Sequence, residues 1–82
     1  MQLQDETDPR AVSSYLLDLW SQILRKTVRP SDDFFDSGGD SLSAVRMISE
    51  VQRTYRVEID VETFFEASSV EKLTGLIVTL RA

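Results

Sequence analysis

The run Asp32-Asp33-Phe34-Phe35-Asp36-Ser37-Gly38-Gly39-Asp40-Ser41-Leu42 holds the residues of this chain best suited to chemistry. A hydroxyl stands behind a glycine pair and an aspartate, and a helical apolar period resumes directly after it. If a helix opens at Ser41, its unpaired N–H groups and dipole favour a phosphate there by roughly 0.3–1 kcal/mol. Gly38 and Gly39 put no side chain in the way of a partner backbone approaching the serine. Ser41 is therefore well placed to carry a phosphodiester. The same residues also describe a plain helix cap, formed by Asp40 or Ser41 after a Gly-Gly turn.

Other chemistries fit these residues poorly. A phosphate-binding P-loop needs a lysine after its last glycine, and none stands there. A calcium loop starting at Asp36 needs an acid or amide third and a glycine sixth, and meets Gly38 and Ser41 instead. Ser41 as a catalytic nucleophile needs a base, and the chain has neither histidine nor cysteine. Ser41 thus reads as a substrate, with no catalytic residue and no metal site expected in the chain. The missing cysteines also exclude a disulfide framework and fit a reducing compartment. A formal charge of −5 argues against nucleic acid as a partner. No apolar run has membrane-spanning length, and Met1-Gln2-Leu3-Gln4-Asp5 lacks a signal pattern, so the expected location is cytoplasmic.

The elements that must position Ser41 follow from the hydrophobic period. The chain's 82 residues make one small domain, expected over residues 8–82 behind a flexible segment, residues 1–7. Asp8-Pro9 is a helix start, and Val12, Tyr15, Leu16, Leu19, Trp20, Ile23 and Leu24 then recur at helical spacing. From Arg25 to Asp40 runs a connection longer than the about 2–8 residues usual between bundled helices, which suggests a functional or anchored loop. Phe34-Phe35 is expected to tuck at least one ring into the core. A second helix from Ser41 carries Leu42, Val45, Ile48, Val51 and Tyr55 as its expected core face. Val57 and Ile59 predict a short extended link, and Asp60 a cap for a brief helix through Phe64-Phe65. Ser68-Ser69-Val70-Glu71 offers a capping box before Val70, Leu73, Leu76, Ile77 and Leu80. The expected fold is all-α, a small four-helix bundle of three long helices and one short, with a long loop between the first two.

Asp33-Phe34-Phe35 followed by Gly38-Gly39-Asp40-Ser41-Leu42 resembles the core motif of peptidyl carrier (thiolation) domains of nonribosomal peptide synthetases, in the phosphopantetheine-binding carrier superfamily. Phe64-Phe65-Glu66 with Ser68-Ser69-Val70-Glu71-Lys72-Leu73 resembles the third- and fourth-helix signature of that family, and Trp20 stands at the expected distance upstream. The resemblance covers roughly residues 10 to 80, and several spaced elements in agreement weigh more than one short pattern. It implies 4′-phosphopantetheine attached through Ser41, with Gly38, Gly39, Asp40 and Leu42 completing the motif. It implies a phosphopantetheinyl transferase that uses coenzyme A only as arm donor. It also implies adenylation, condensation or tailoring enzymes as partners of a monomeric carrier of aminoacyl or peptidyl thioesters. Two positions depart from the pattern. Ser37 stands where the family usually has leucine, which shifts the anchoring of the loop onto Phe34 and Phe35. Ser68-Ser69 replaces a common Pro-Thr.

Asp40 also occurs in acyl carriers, so an acyl carrier of polyketide biosynthesis is the alternative, and a helical interaction module without prosthetic group is another. Against the strongly acidic second helix typical of fatty-acid carriers, residues 42–55 hold Arg46, Glu50 and Arg53. A partner-facing side of Ala44, Arg46 and Met47 is therefore expected beside the core stripe. Met47 also fits a second core contact, because methionine fills gaps readily.

Overall fold

Asp8 and Pro9 open the first helix as their chemistry predicts: the Asp8 carboxylate accepts from the Arg10 N–H at 3.0 Å, and proline occupies the first turn. The computed structural model describes residues 8–81, which form α1 (Pro9–Leu24), α2 (Ser41–Tyr55), α3 (Val61–Glu66) and α4 (Val70–Arg81). The flexible segment expected over residues 1–7 lies outside the described residues. On α1, Val12, Leu16 and Trp20 are buried at four-residue steps, flanked by half-buried Tyr15, Leu19 and Ile23. Arg25 ends the helix in the left-handed region at φ 59°, its N–H bonded to the Ser21 carbonyl. Helix α1 packs most extensively along α4, and α2 joins α1 to α3.

The link after α2 is extended, and Val57 and Ile59 turn inward from alternate positions as expected. The Ile59 N–H donates to Gln52 Oε1 at 2.9 Å, which satisfies a backbone group that no sheet pairs. Asp60 caps α3 through the Thr63 N–H at 2.8 Å. The start of α4 differs from the expected capping box. Ser69 Oγ accepts from the Lys72 N–H at 3.2 Å, so Ser69 takes the cap and Lys72, not Glu71, stands three residues on. The Ser68 hydroxyl is drawn away to the Asp33 carboxylate.

Helix α2 corrects the expected core face. Ala44 and Met47 are 1% and 0% exposed, while Leu42 and Val45 are 74% and 49% exposed. A helix turns about 100° per residue, so apolar residues at steps of three drift by about 60° per step. Leu42, Val45, Ile48 and Val51 follow one another at threes and wind around the helix. Ala44, Met47, Ile48, Val51 and Tyr55 stand at i, i+3, i+4, i+7 and i+11, stay on one side, and are the residues buried. The two readings share the last turns and part company in the first two. Ala44 and Met47 therefore cannot serve as partner contacts, because their side chains already belong to the core.

Candidate functional site

Ser41 is placed by the loop of residues 25–40, and that loop is held at both the core and the helix junction behind it. Phe34 is fully buried and meets Trp20, Phe64 and Phe35 edge-on, at ring-centroid distances of 5.4, 5.2 and 5.3 Å. Edge-on aromatic contacts of this kind add about 0.5–1.5 kcal/mol each beyond the area they bury. Phe35 is half-buried and stacks on Phe65 at 4.8 Å. The expectation that Phe34-Phe35 anchors the loop is met, chiefly by Phe34.

Backbone bonds tie the same loop to the turn between α3 and α4. The Phe34 N–H donates to the Ser68 carbonyl at 2.6 Å, and the Glu71 N–H to the Pro30 carbonyl at 3.0 Å. Asp33 and Ser69 form an isolated antiparallel bridge. The Asp33 carboxylate accepts from the Ser68 hydroxyl and from the N–H groups of Phe35 and Asp36, at 2.9 and 3.0 Å for the last two. The Ser68 hydroxyl, above all, and these N–H groups hold Asp33 below the usual carboxyl pKa, against a smaller opposing effect of burial. Closer to the chain's surface, the Lys26 ammonium donates to the Ser37 carbonyl at 3.3 Å.

The glycine pair serves two different needs. Gly38 sits at φ 108°, where side chains are disfavoured, and has open space around it. Gly39 is required from within: a Cβ there would collide with the Phe34 ring that anchors the loop. Its N–H donates to the Phe34 carbonyl at 2.9 Å.

Asp40 is the cap of α2, and Ser41 is the first residue of the helix, exposed to solvent. Asp40 Oδ1 accepts both the backbone N–H and the hydroxyl of Ser43, each at 2.8 Å. The N–H bond first and the hydroxyl second keep the Asp40 carboxyl below its ordinary pKa. The Ser43 hydroxyl is the contact that the sequence reading did not foresee. Its signal was the three-residue spacing from Asp40, which places any short polar side chain within reach of a cap. Leu42 is exposed beside Ser41 and Arg46 is exposed about one turn further on, whereas Ala44 and Met47 are not brought to the surface.

This arrangement suits an arm joined covalently and left to swing. The Ser41 hydroxyl opens to solvent at a helix mouth that favours a phosphate, although the Asp40 carboxylate beside it opposes close binding of one. Two shallow cavities, of about 430 and 440 Å³, lie between α1 and α4 and between α2 and α3, and Ser41 lines neither. Among the described residues no group of three or more His, Cys, Asp or Glu could hold a metal ion, and no helix is long and apolar enough to cross a membrane.

Residues 14–77 match the family model described as "Phosphopantetheine attachment site". Over 71 residues the chain is 37% identical to tyrocidine synthase 3 of Brevibacillus parabrevis; the match covers 84% of this chain and 1% of that protein. Among solved structures, an active-site mutant peptidyl carrier protein superposes with a TM-score of 0.82 at 29% identity, over 88% of this chain and 81% of that one. A chain from the complex of the phosphopantetheine transferase Sfp with coenzyme A and a peptidyl carrier protein gives a TM-score of 0.78 at 29% identity, over 83% and 90%.

Proposed function

Because the chain belongs to the phosphopantetheine attachment family, we propose that Ser41 takes the arm and that the domain carries aminoacyl or peptidyl groups between the enzymes of a nonribosomal peptide assembly line. The observation that carries this reading is the exposed Ser41 hydroxyl at the mouth of α2, behind Gly38, Gly39 and Asp40, on a loop pinned into the core by Phe34. Joined there, the group supplies a terminal thiol on a long flexible chain, which this cysteine-free sequence lacks. Apart from the hydroxyl that accepts the arm, the domain's own residues take no part in bond-making: they fold, present that hydroxyl, and leave the space around Gly38 open. With no histidine or cysteine available, the chain acts as a substrate of other enzymes and not as a catalyst.

The partners of this reading are a phosphopantetheinyl transferase and the adenylation, condensation or tailoring enzymes that load and unload the thiol. Similarity to the carrier bound by the transferase Sfp and to tyrocidine synthase 3 supports it. The contact surface for the transferase is Leu42, Val45 and Arg46. An enzyme acting on Ser41 has to cover its neighbour Leu42, and Val45 and Arg46 are exposed about one turn further on. The mixed charge of α2, with Arg46, Glu50 and Arg53, favours the peptidyl over the acyl class.

The test is arm transfer in solution. The unmodified protein is incubated with coenzyme A and a promiscuous phosphopantetheinyl transferase, digested, and searched for the added mass. A single modification on Ser41, absent from Ser41→Ala, is expected. Modification at Ser37 or Ser43, or no modification, would overturn the assignment.

A further inference from the structure

Ser43 has no part in the function proposed above, yet both its backbone N–H and its hydroxyl bond the cap of α2. Its N–H and its hydroxyl both meet the same oxygen, Oδ1 of Asp40, at 2.8 Å. An N–H alone caps a helix and leaves the carboxylate free to rock about its own bond. A second donor on the same oxygen, the Ser43 hydroxyl, restricts that rotation further. The second oxygen, Oδ2, has no share in either bond. The consequence is a favoured orientation for the negative charge that adjoins Ser41.

We propose that Ser43 is a positioning residue for arm attachment, acting through Asp40: its hydroxyl holds the Asp40 carboxylate in the orientation that the attachment reaction uses. The inference rests on Ser41 being the attachment residue. In that reaction Ser41 Oγ bonds to the phosphorus that bears pantetheine, and the P–O bond to the adenosine bisphosphate part of coenzyme A breaks. The hydroxyl proton passes to a base of the transferase, and adenosine bisphosphate leaves with the electron pair of the broken bond. A diphosphate is delivered to a protein surface together with cations, whether metal ions or Lys and Arg side chains. A carboxylate held still beside Ser41 gives those cations a set place, whereas a rocking one has to be ordered during the reaction. The arrangement also explains why two serines so close together are not equivalent. The Ser43 hydroxyl is committed to Asp40 and half-buried, and the Ser41 hydroxyl is exposed.

The experiment measures initial rates of arm attachment on unmodified protein with coenzyme A and a phosphopantetheinyl transferase. The variants are Ser43→Ala, Ser43→Thr, Asp40→Ala and the double variant, each with its thermal melt. Ser43→Ala should lower kcat/KM by about three- to tenfold, the range one hydrogen bond covers. The loss should fall on kcat, since orientation matters in the transition state and not in docking. Ser43→Thr, which keeps the hydroxyl, should restore the rate. In the Asp40→Ala background, Ser43→Ala should change nothing further. By carboxyl NMR, the Asp40 titration should move upward in Ser43→Ala. An unchanged rate in Ser43→Ala, or an equal loss in both backgrounds, would overturn the role of Ser43. Failure of the parent protein to take an arm would instead overturn the Ser41 assignment itself.

Discussion

The first two turns of α2 carry apolar residues on both sides, and the two sides meet opposite surroundings. Ala44 and Met47 point into the bundle and belong to its buried core, while Leu42 and Val45 face solvent. Nothing in the hydrophobicity of the four residues separates them. Helical phase does, and it separates core from surface within a few residues of Ser41. An apolar side chain at the mouth of the helix is thus no guide to its role until the direction of the core is known.

The largest effect should come from the buried side. Met47→Glu places an unpaired charge in the core and should cost at least roughly 3 kcal/mol, a large share of what a small domain has. Its melt should be lost or shifted far downward. A nearly unchanged melting curve would mean that Met47 is on the surface and that the phase of α2 is wrong.

An intermediate effect should come from the loop that positions both sides. Asp33→Ala leaves the Ser68 hydroxyl and the N–H groups of Phe35 and Asp36 without their acceptor, and should cost about 1–3 kcal/mol at neutral pH. The pH dependence has a definite sign. The folded state lowers the Asp33 pKa, so its contribution is full above the ordinary carboxyl value and is lost as pH falls through the lower, folded value. The difference between Asp33→Ala and the parent should therefore shrink on acidification. Denaturant melts of both proteins at neutral and strongly acid pH measure it. A difference independent of pH would show that the charge of Asp33 has no role in holding the loop.

The smallest effect on stability should come from the exposed side. Val45→Glu should leave the melt nearly unchanged, since substitutions on exposed helix surface usually fall within about 0.5 kcal/mol. It should nevertheless slow arm attachment, by placing a charge on the face proposed above for the transferase contact. Loss of the fold in Val45→Glu would join Val45 to the core. An unaltered attachment rate would move the transferase contact off this face.

The extent to which the sequence was legible differs from element to element, for physical reasons. Local signals were the reliable ones. Asp8, Asp40 and Asp60 cap the helices that follow them, because a cap is a contact between a side chain and an N–H two or three residues on. The length of the loop and its phenylalanine pair announced an anchored segment, and Phe34 is its anchor. The start of α4 was misread, because Ser68 and Ser69 are equivalent caps in sequence. Asp33, 35 residues away from Ser68, decides between them by taking the Ser68 hydroxyl.

Four helices, the caps of the first three, the glycine-bearing loop and the serine that opens α2 were thus legible in the sequence alone. These depend on neighbours within a turn, and backbone geometry enforces them whatever the rest of the chain does. Only the tertiary structure decided which side of α2 is core, that Gly39 is needed to admit the Phe34 ring, and that Ser68 serves the loop while Ser69 serves the helix. Each of these is settled by residues distant in sequence competing for the same space or the same donor, and the competition exists only once the helices have packed.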